Sequence, residues 1–157
     1  NVDATIMGAE AGYRYQLTEH WSTDASLAWA WGKNRSDNVA LPQMPPLDAR
    51  LGRGWESGPC STSALLRMVS QQDRIALNQG NVIGKDFSRS AGFSIFSANA
   101  AWQFNPQLKL SAGVDNIFNQ AYSEHLNLAG NSSFGYSSNT PVNEPGRTWW
   151  AKVNVKF

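Results

Sequence analysis

The sequence predicts an all-β chain, an antiparallel transmembrane β-barrel with about seven strands present. Three observations predict it. Apolar side chains recur at every second position, the period of a strand with two different faces. Most of the alternating runs reach ~9–11 residues, the length of a tilted strand that crosses a bilayer, whereas strands of water-soluble domains average ~5–6. The connections between runs are alternately short and long.

The first run sets Met7, Ala9, Ala11, Tyr13, Tyr15 and Leu17 against Gly8, Glu10, Gly12, Arg14 and Gln16, and Thr18-Glu19-His20 turns it back. The second sets Trp21, Thr23, Ala25, Leu27, Trp29 and Trp31 against Ser22, Asp24, Ser26, Ala28, Ala30 and Gly32. Two less regular segments follow, about Leu47 to Glu56 and Cys60 to Asp73, around a Ser57-Gly58-Pro59 turn. Phe96, Ala98, Ala100, Trp102 and Phe104 then alternate with Ser97, Asn99, Ala101 and Gln103 until Asn105-Pro106-Gln107 breaks the run. Beyond it Leu108, Leu110, Ala112, Val114 and Asn116 oppose Lys109, Ser111, Gly113 and Asp115. The last run sets Trp149, Ala151, Val153, Val155 and Phe157 against Trp150, Lys152, Asn154 and Lys156.

Alternation by itself also fits a β-sandwich, so the positions of the aromatics matter. Tyr13, Tyr15, Trp21, Trp102, Phe104 and Phe157 sit beside the short turns or the terminus. Trp29, Trp31, Phe118, Trp149 and Trp150 sit toward the long connections, about 33–46, 74–90 and 119–146. Two aromatic girdles, short turns at one end and long loops at the other are the pattern of an outer-membrane barrel, with the C-terminus on the periplasmic, short-turn side. An odd strand count reads as part of a barrel, because a sheet in lipid must close and bacterial barrels usually do so with an even number.

Composition agrees. The 157 residues are 41% hydrophobic and 16% charged with a formal charge of +1, so one domain is expected and no field is available to gather nucleic acid. No run approaches the ~18 unbroken apolar residues of a spanning helix. Cys60 is the single cysteine and His20 and His125 the only histidines, which excludes a disulfide framework or a multi-thiolate metal site within these residues. No glycine-flanked serine elbow, metalloprotease histidine pair or glycine-rich strand-to-helix loop is present, so no enzyme and no cofactor are expected.

Three segments carry a family resemblance. Gly113-Val114-Asp115-Asn116-Ile117-Phe118-Asn119-Gln120-Ala121-Tyr122 resembles the penultimate strand of TonB-dependent outer-membrane receptors and the turn into their last external loop. Pro145-Gly146-Arg147-Thr148-Trp149-Trp150, running to Phe157, resembles their last strand, and Leu41-Pro42-Gln43-Met44-Pro45-Pro46 a proline-rich lead into an inward strand. Within the family, Asn78-Gln79-Gly80-Asn81-Val82-Ile83-Gly84-Lys85-Asp86 and Tyr122-Ser123-Glu124-His125-Leu126-Asn127 are most similar to the copper receptors.

The resemblance implies a 22-stranded barrel with a plug in its lumen, importing a metal or metal complex with energy relayed by TonB. Residues 1–157 would be the C-terminal third of that barrel, with the plug domain and the TonB-contacting part outside them. The implied partners are outer-membrane lipid, the remainder of the receptor with its plug, the TonB complex and the barrel-assembly machinery. Trp149, Val153, Val155 and Phe157 would form the membrane-assembly signal. A self-contained small barrel acting as a passive pore or adhesin is the alternative, and a soluble β-sandwich the third reading.

For metal chemistry Glu124 and His125 are the candidates, but neighbours in sequence rarely converge on one ion, and a solvated loop pair accounts for them more simply. Met44, Met68 and Cys60 are soft donors spread over a loop and a strand, where packing explains them. Arg14, Asp48, Arg50, Arg67, Lys109 and Asp115 fall on the polar face, where they would line a lumen or pair with one another.

Overall fold

The computed structural model describes residues 2–80, 85–127, 133, 135, 137 and 140–157. Its strands are β1 (Ala4–Gln16), β2 (Trp21–Asn34), β3 (Val39–Ala40), β4 (Asp48–Ser57), β5 (Cys60–Val69), β6 (Phe93–Asn105), β7 (Leu108–Asp115) and β8 (Thr148–Val155). They form one sheet in the order β1-β2-β4-β5-β6-β7-β8, every pair antiparallel, with β3 attached to β2 alone. The seven expected strands are the seven of this meander. The eighth, β3, arises because β2 outruns its neighbour: Asp48 of β4 pairs with Ala28, so the end of β2 is free, and Val39 and Ala40 fold back onto Asn34 and Lys33.

The short turns are made by local polar groups. Thr18 Oγ1 accepts from the backbone N–H of His20 and Trp21, and Asn105 Oδ1 from those of Gln107 and Leu108. Between β4 and β5, Gly58 takes φ +53°, the positive angle that matches a two-residue loop to strand twist.

The registers put the predicted sets on opposite faces. On one lie Ala9, Tyr13, Leu27, Trp29, Leu51, Leu66, Phe96, Leu110, Val114, Trp149 and Val153. On the other lie Arg14 opposite Asp24, Arg50 opposite Arg67, and Lys109 opposite Gln103 and Asn154. Trp149 is 74% and Val153 62% exposed, the exposure expected of a sheet face that packs against an apolar phase. The small buried cluster, Val69, Phe93 and Ile95 with Tyr122 against it, lies on the polar face at the long-loop end.

Two details differ from the expectation. β6 begins at Phe93 and not near Phe96, because Phe93 and Ile95 are apolar residues on the polar face and break the alternation. Trp150 does not belong to the girdle: it pairs with Gly113 on the polar face, while its neighbour Trp149 points the other way. A Cβ on Gly113 would stand 2.4 Å from Trp150 Cζ2 and 2.9 Å from Asn99 Cβ. We therefore expect Gly113→Val to displace the indole and destabilise the sheet by ~1–3 kcal/mol, read as a lower urea midpoint of the purified protein. An unchanged midpoint would show that Trp150 does not rest on this glycine.

Candidate functional site

The polar face and the long loops meet at Arg67. In register it opposes Arg50, and two facing guanidinium groups need carboxylates. Asp48, two residues before Arg50 and on the same face, supplies one: it accepts from Arg50 Nε at 3.3 Å and from Arg67 Nε at 2.9 Å. Glu124, from the loop after β7, supplies the other in a fork, with both Arg67 Nη groups donating to its two oxygens. The Arg67 guanidinium also lies 5.5 Å from the Phe93 ring centroid, and Phe93 contacts Tyr122 at 4.4 Å between centroids. One arginine thus joins two strands to the last long loop.

Asp86 joins the loops to each other. Its Oδ1 accepts from the Gln43 backbone N–H and its Oδ2 from that of Ala76, both at 2.9 Å. His125 Nε2 sits 3.6 Å from Asp86 Oδ1, with both side chains only 2% exposed and no hydrogen bond at that nitrogen. Gln72 adds a second link between the first two loops, donating from Nε2 to the Met44 carbonyl at 3.0 Å.

The base of the last loop is closed by asparagines. Asn116 and Asn119 adopt φ of 52° and 53°. Asn116 exchanges side-chain hydrogen bonds with the Gln120 backbone, and Asn119 Oδ1 accepts from the Arg147 N–H at 2.9 Å. The Asn116–Asn119 and Pro145–Arg147 segments that carry the family resemblance therefore meet in space.

The solvated loop pair expected for Glu124 and His125 is not what forms. Glu124 is held by Arg67 and His125 is buried beside Asp86, because the loop folds down onto the polar face. The two do not converge, and among the described residues no group of three or more His, Cys, Asp or Glu is arranged to hold a metal. Met44 is buried over Gly32, Met68 faces outward with the apolar set, and Cys60 is exposed at the opposite, short-turn end. The three soft donors stay apart. Residues 81–84 of the segment most similar to copper receptors lie outside the described residues. Of the proposed assembly residues, Trp149, Val153 and Val155 share the apolar face and Phe157 is fully exposed beyond β8.

Burial pushes the His125 pKa below its ordinary value of 6.5, with Asp86 opposing the shift. Burial first, then the charges of Glu144 and Glu124, raise that of Tyr122. For His125 the unfolded loop takes up a proton at higher pH than the folded one, so loop stability is full above about 6.5 and falls as pH drops through the unfolded value. We expect protease nicking of the loops in the folded protein to accelerate between pH 7 and 5, and His125→Gln to flatten that dependence. Equal acid sensitivity of the variant would contradict this assignment.

Comparison with known proteins accords with this geometry. A family model described as TonB dependent receptor-like, beta-barrel matches residues 1–117. A solved structure titled copper transporter OprC superposes with a TM-score of 0.97 at 59% identity, covering 100% of this chain and 24% of that one. The ferric enterobactin receptor of Pseudomonas aeruginosa shares the fold with a TM-score of 0.75 at 20% identity, covering 98% of this chain and 22% of its own. The ferrienterobactin receptor of Escherichia coli is 31% identical over 81 residues, 48% of this chain and 11% of its own. The chain thus spans about a quarter or less of the length of these relatives. The relatives are receptors and a transporter, and this chain belongs to the TonB-dependent receptor β-barrel family.

Proposed function

We propose that residues 1–157 are the C-terminal part of the barrel wall of a TonB-dependent receptor that imports copper across the outer membrane. The observation that carries this reading is 59% identity, over the whole chain, to a copper transporter of the same fold. The siderophore receptors at about 20% identity support the fold alone. In this reading the face of Arg14, Arg50, Arg67 and Lys109 lines the lumen and the opposite face meets lipid. The C-terminus lies on the periplasmic side, and Trp149, Val153, Val155 and Phe157 are read by the barrel-assembly machinery. The plug domain and the segment that contacts the TonB complex belong to the remainder of the receptor.

The open sheet favours this reading over a self-contained small barrel. β1 and β8 occupy opposite edges and do not pair. Closing seven antiparallel strands on themselves would set β1 and β8 parallel at the seam, against the even count of bacterial barrels. Among the described residues no group of three or more His, Cys, Asp or Glu is arranged to hold a metal, so in this reading the copper site draws on the rest of the receptor.

The test is metal accumulation by cells that lack the receptor and are given the full-length gene back. Under copper limitation we expect several-fold more cell copper, dependent on TonB, and no gain in uptake of ferric enterobactin. Import of the ferric complex without copper would overturn the reading.

A further inference from the structure

The apolar face carries one residue that its lipid-facing role does not explain. Arg53 pairs in register with Thr23 and Ala64, between Leu51 and Trp55 of the outward set. Beyond Lys33, which stands at the long-loop end of β2 past Trp31, it is the one charged side chain on that face of the strands among the described residues. It makes no ion pair with a carboxylate there; its neighbour is Trp21, whose ring centroid is 5.0 Å from the guanidinium carbon. Trp21 in turn pairs with Trp55, so the cation sits within the short-turn girdle.

A groove of about 570 Å³ opens at this position. Arg53, Trp21 and Trp55 form its mouth. Its floor is Ala98, Ala100 and Ala112, and Trp149 borders its far end, so that it leaves the girdle and runs over small side chains into the apolar belt. A cation facing hydrocarbon is unfavourable unless its long stem lifts the charge to the interface and an anion meets it there. At the depth of an aromatic girdle the anion a bilayer offers is the phosphate of a lipid headgroup. Charge at the mouth and an apolar floor behind it match the two ends of one lipid molecule.

We propose that Arg53, with Trp21 and Trp55, binds the phosphate of a glycerophospholipid of the short-turn leaflet, and that one acyl chain of that lipid lies in the alanine-floored groove. The proposal rests on the lipid-facing assignment of this surface. It does not depend on which metal the receptor carries.

The test uses the full-length receptor, delipidated in mild detergent and incubated with phosphatidylglycerol or with the diacylglycerol of the same chains, then weighed by native mass spectrometry. One phosphatidylglycerol per receptor is expected to remain bound, and the diacylglycerol is expected to leave. Arg53→Gln should lower the retained fraction about tenfold, the loss of one charge-assisted contact. Ala100→Leu, which fills the groove and leaves the charge, should also lower it, and Lys33→Gln should not. Heat-modifiable mobility on a gel confirms that each variant is folded. Equal retention by Arg53→Gln and the parent, equal retention of diacylglycerol, or a receptor dimer in place of the lipid-bound monomer would overturn the proposal. Loss of copper uptake with lipid retention intact would count against the metal reading and leave this one standing.

Discussion

Arg67→Ala is expected to loosen the last long loop from the barrel wall by roughly 2–3 kcal/mol. Removing one member of a buried ion pair costs ~3–5 kcal/mol because the partner charge stays behind, and about a quarter of each side chain here remains exposed, which reduces the penalty. The substitution strands Glu124 and leaves Asp48 with Arg50 as its guanidinium partner. It also removes the cation above Phe93, whose ring holds Tyr122 at the start of the same loop. A change of that size should raise protease nicking within residues 116–147 of the folded receptor roughly 30- to 150-fold, since cleavage follows the open population. Arg67→Lys should recover only part of the protection, because an ammonium cannot engage both Glu124 oxygens in a fork. Pairing Arg67→Ala with Glu124→Ala should cost less than the sum of the two, the mark of a direct contact. Nicking at the parent rate in Arg67→Ala would show that the loop is held by other contacts.

Deleting Phe157 is expected to reduce the receptor in the outer membrane several-fold while synthesis is unchanged. The last strand sets Trp149, Ala151, Val153 and Val155 on one face by its pairing with β7, and Phe157 continues that alternation at the exposed end of the chain. The backbone remains tied just before it, where the Lys156 N–H donates to the Gln107 carbonyl at 2.8 Å. Deletion of the ring therefore leaves the hairpin intact and removes an aromatic from the short-turn girdle. Phe157→Trp should restore membrane levels and Phe157→Asp should not. Uptake per assembled barrel should match the parent, which separates an assembly role from a transport role. Normal membrane levels of the truncated receptor would remove Phe157 from the assembly signal.

The parts of the fold legible in the sequence are those where one periodicity governs a whole strand. Trp21 to Gly32 announces both faces of β2, and Thr18 and Asn105 announce their turns through side-chain acceptors beside them. The parts that were not legible are those where tertiary contact overrides the alternation. Phe93 and Ile95 face the polar side because the loop of Tyr122 and Glu124 descends onto them, so the start of β6 carries no two-faced pattern. Trp150 reads as a girdle residue by composition and is a polar-face residue by parity.

The candidate site shows the same division. Counting residues along the strands puts Asp48, Arg50 and Arg67 on one face. The Glu124 fork and the Asp86 junction were not readable, because they join segments far apart in sequence whose approach is set by loop packing. The Asn116–Asn119 turn was the one loop feature with a local signal, since asparagine tolerates positive φ and accepts from the backbone that follows.

In the reading proposed above, this chain is wall, one segment of a larger receptor barrel. The measurement that tests it most directly is the intact mass of the polypeptide carrying this C-terminal sequence in purified outer membranes of the source cell. If 17.2 kDa is about 24% of the receptor, as in the copper transporter it resembles, the mass should be about 70 kDa. A folded outer-membrane species of 17.2 kDa would contradict the claim and make the small barrel the structure to pursue.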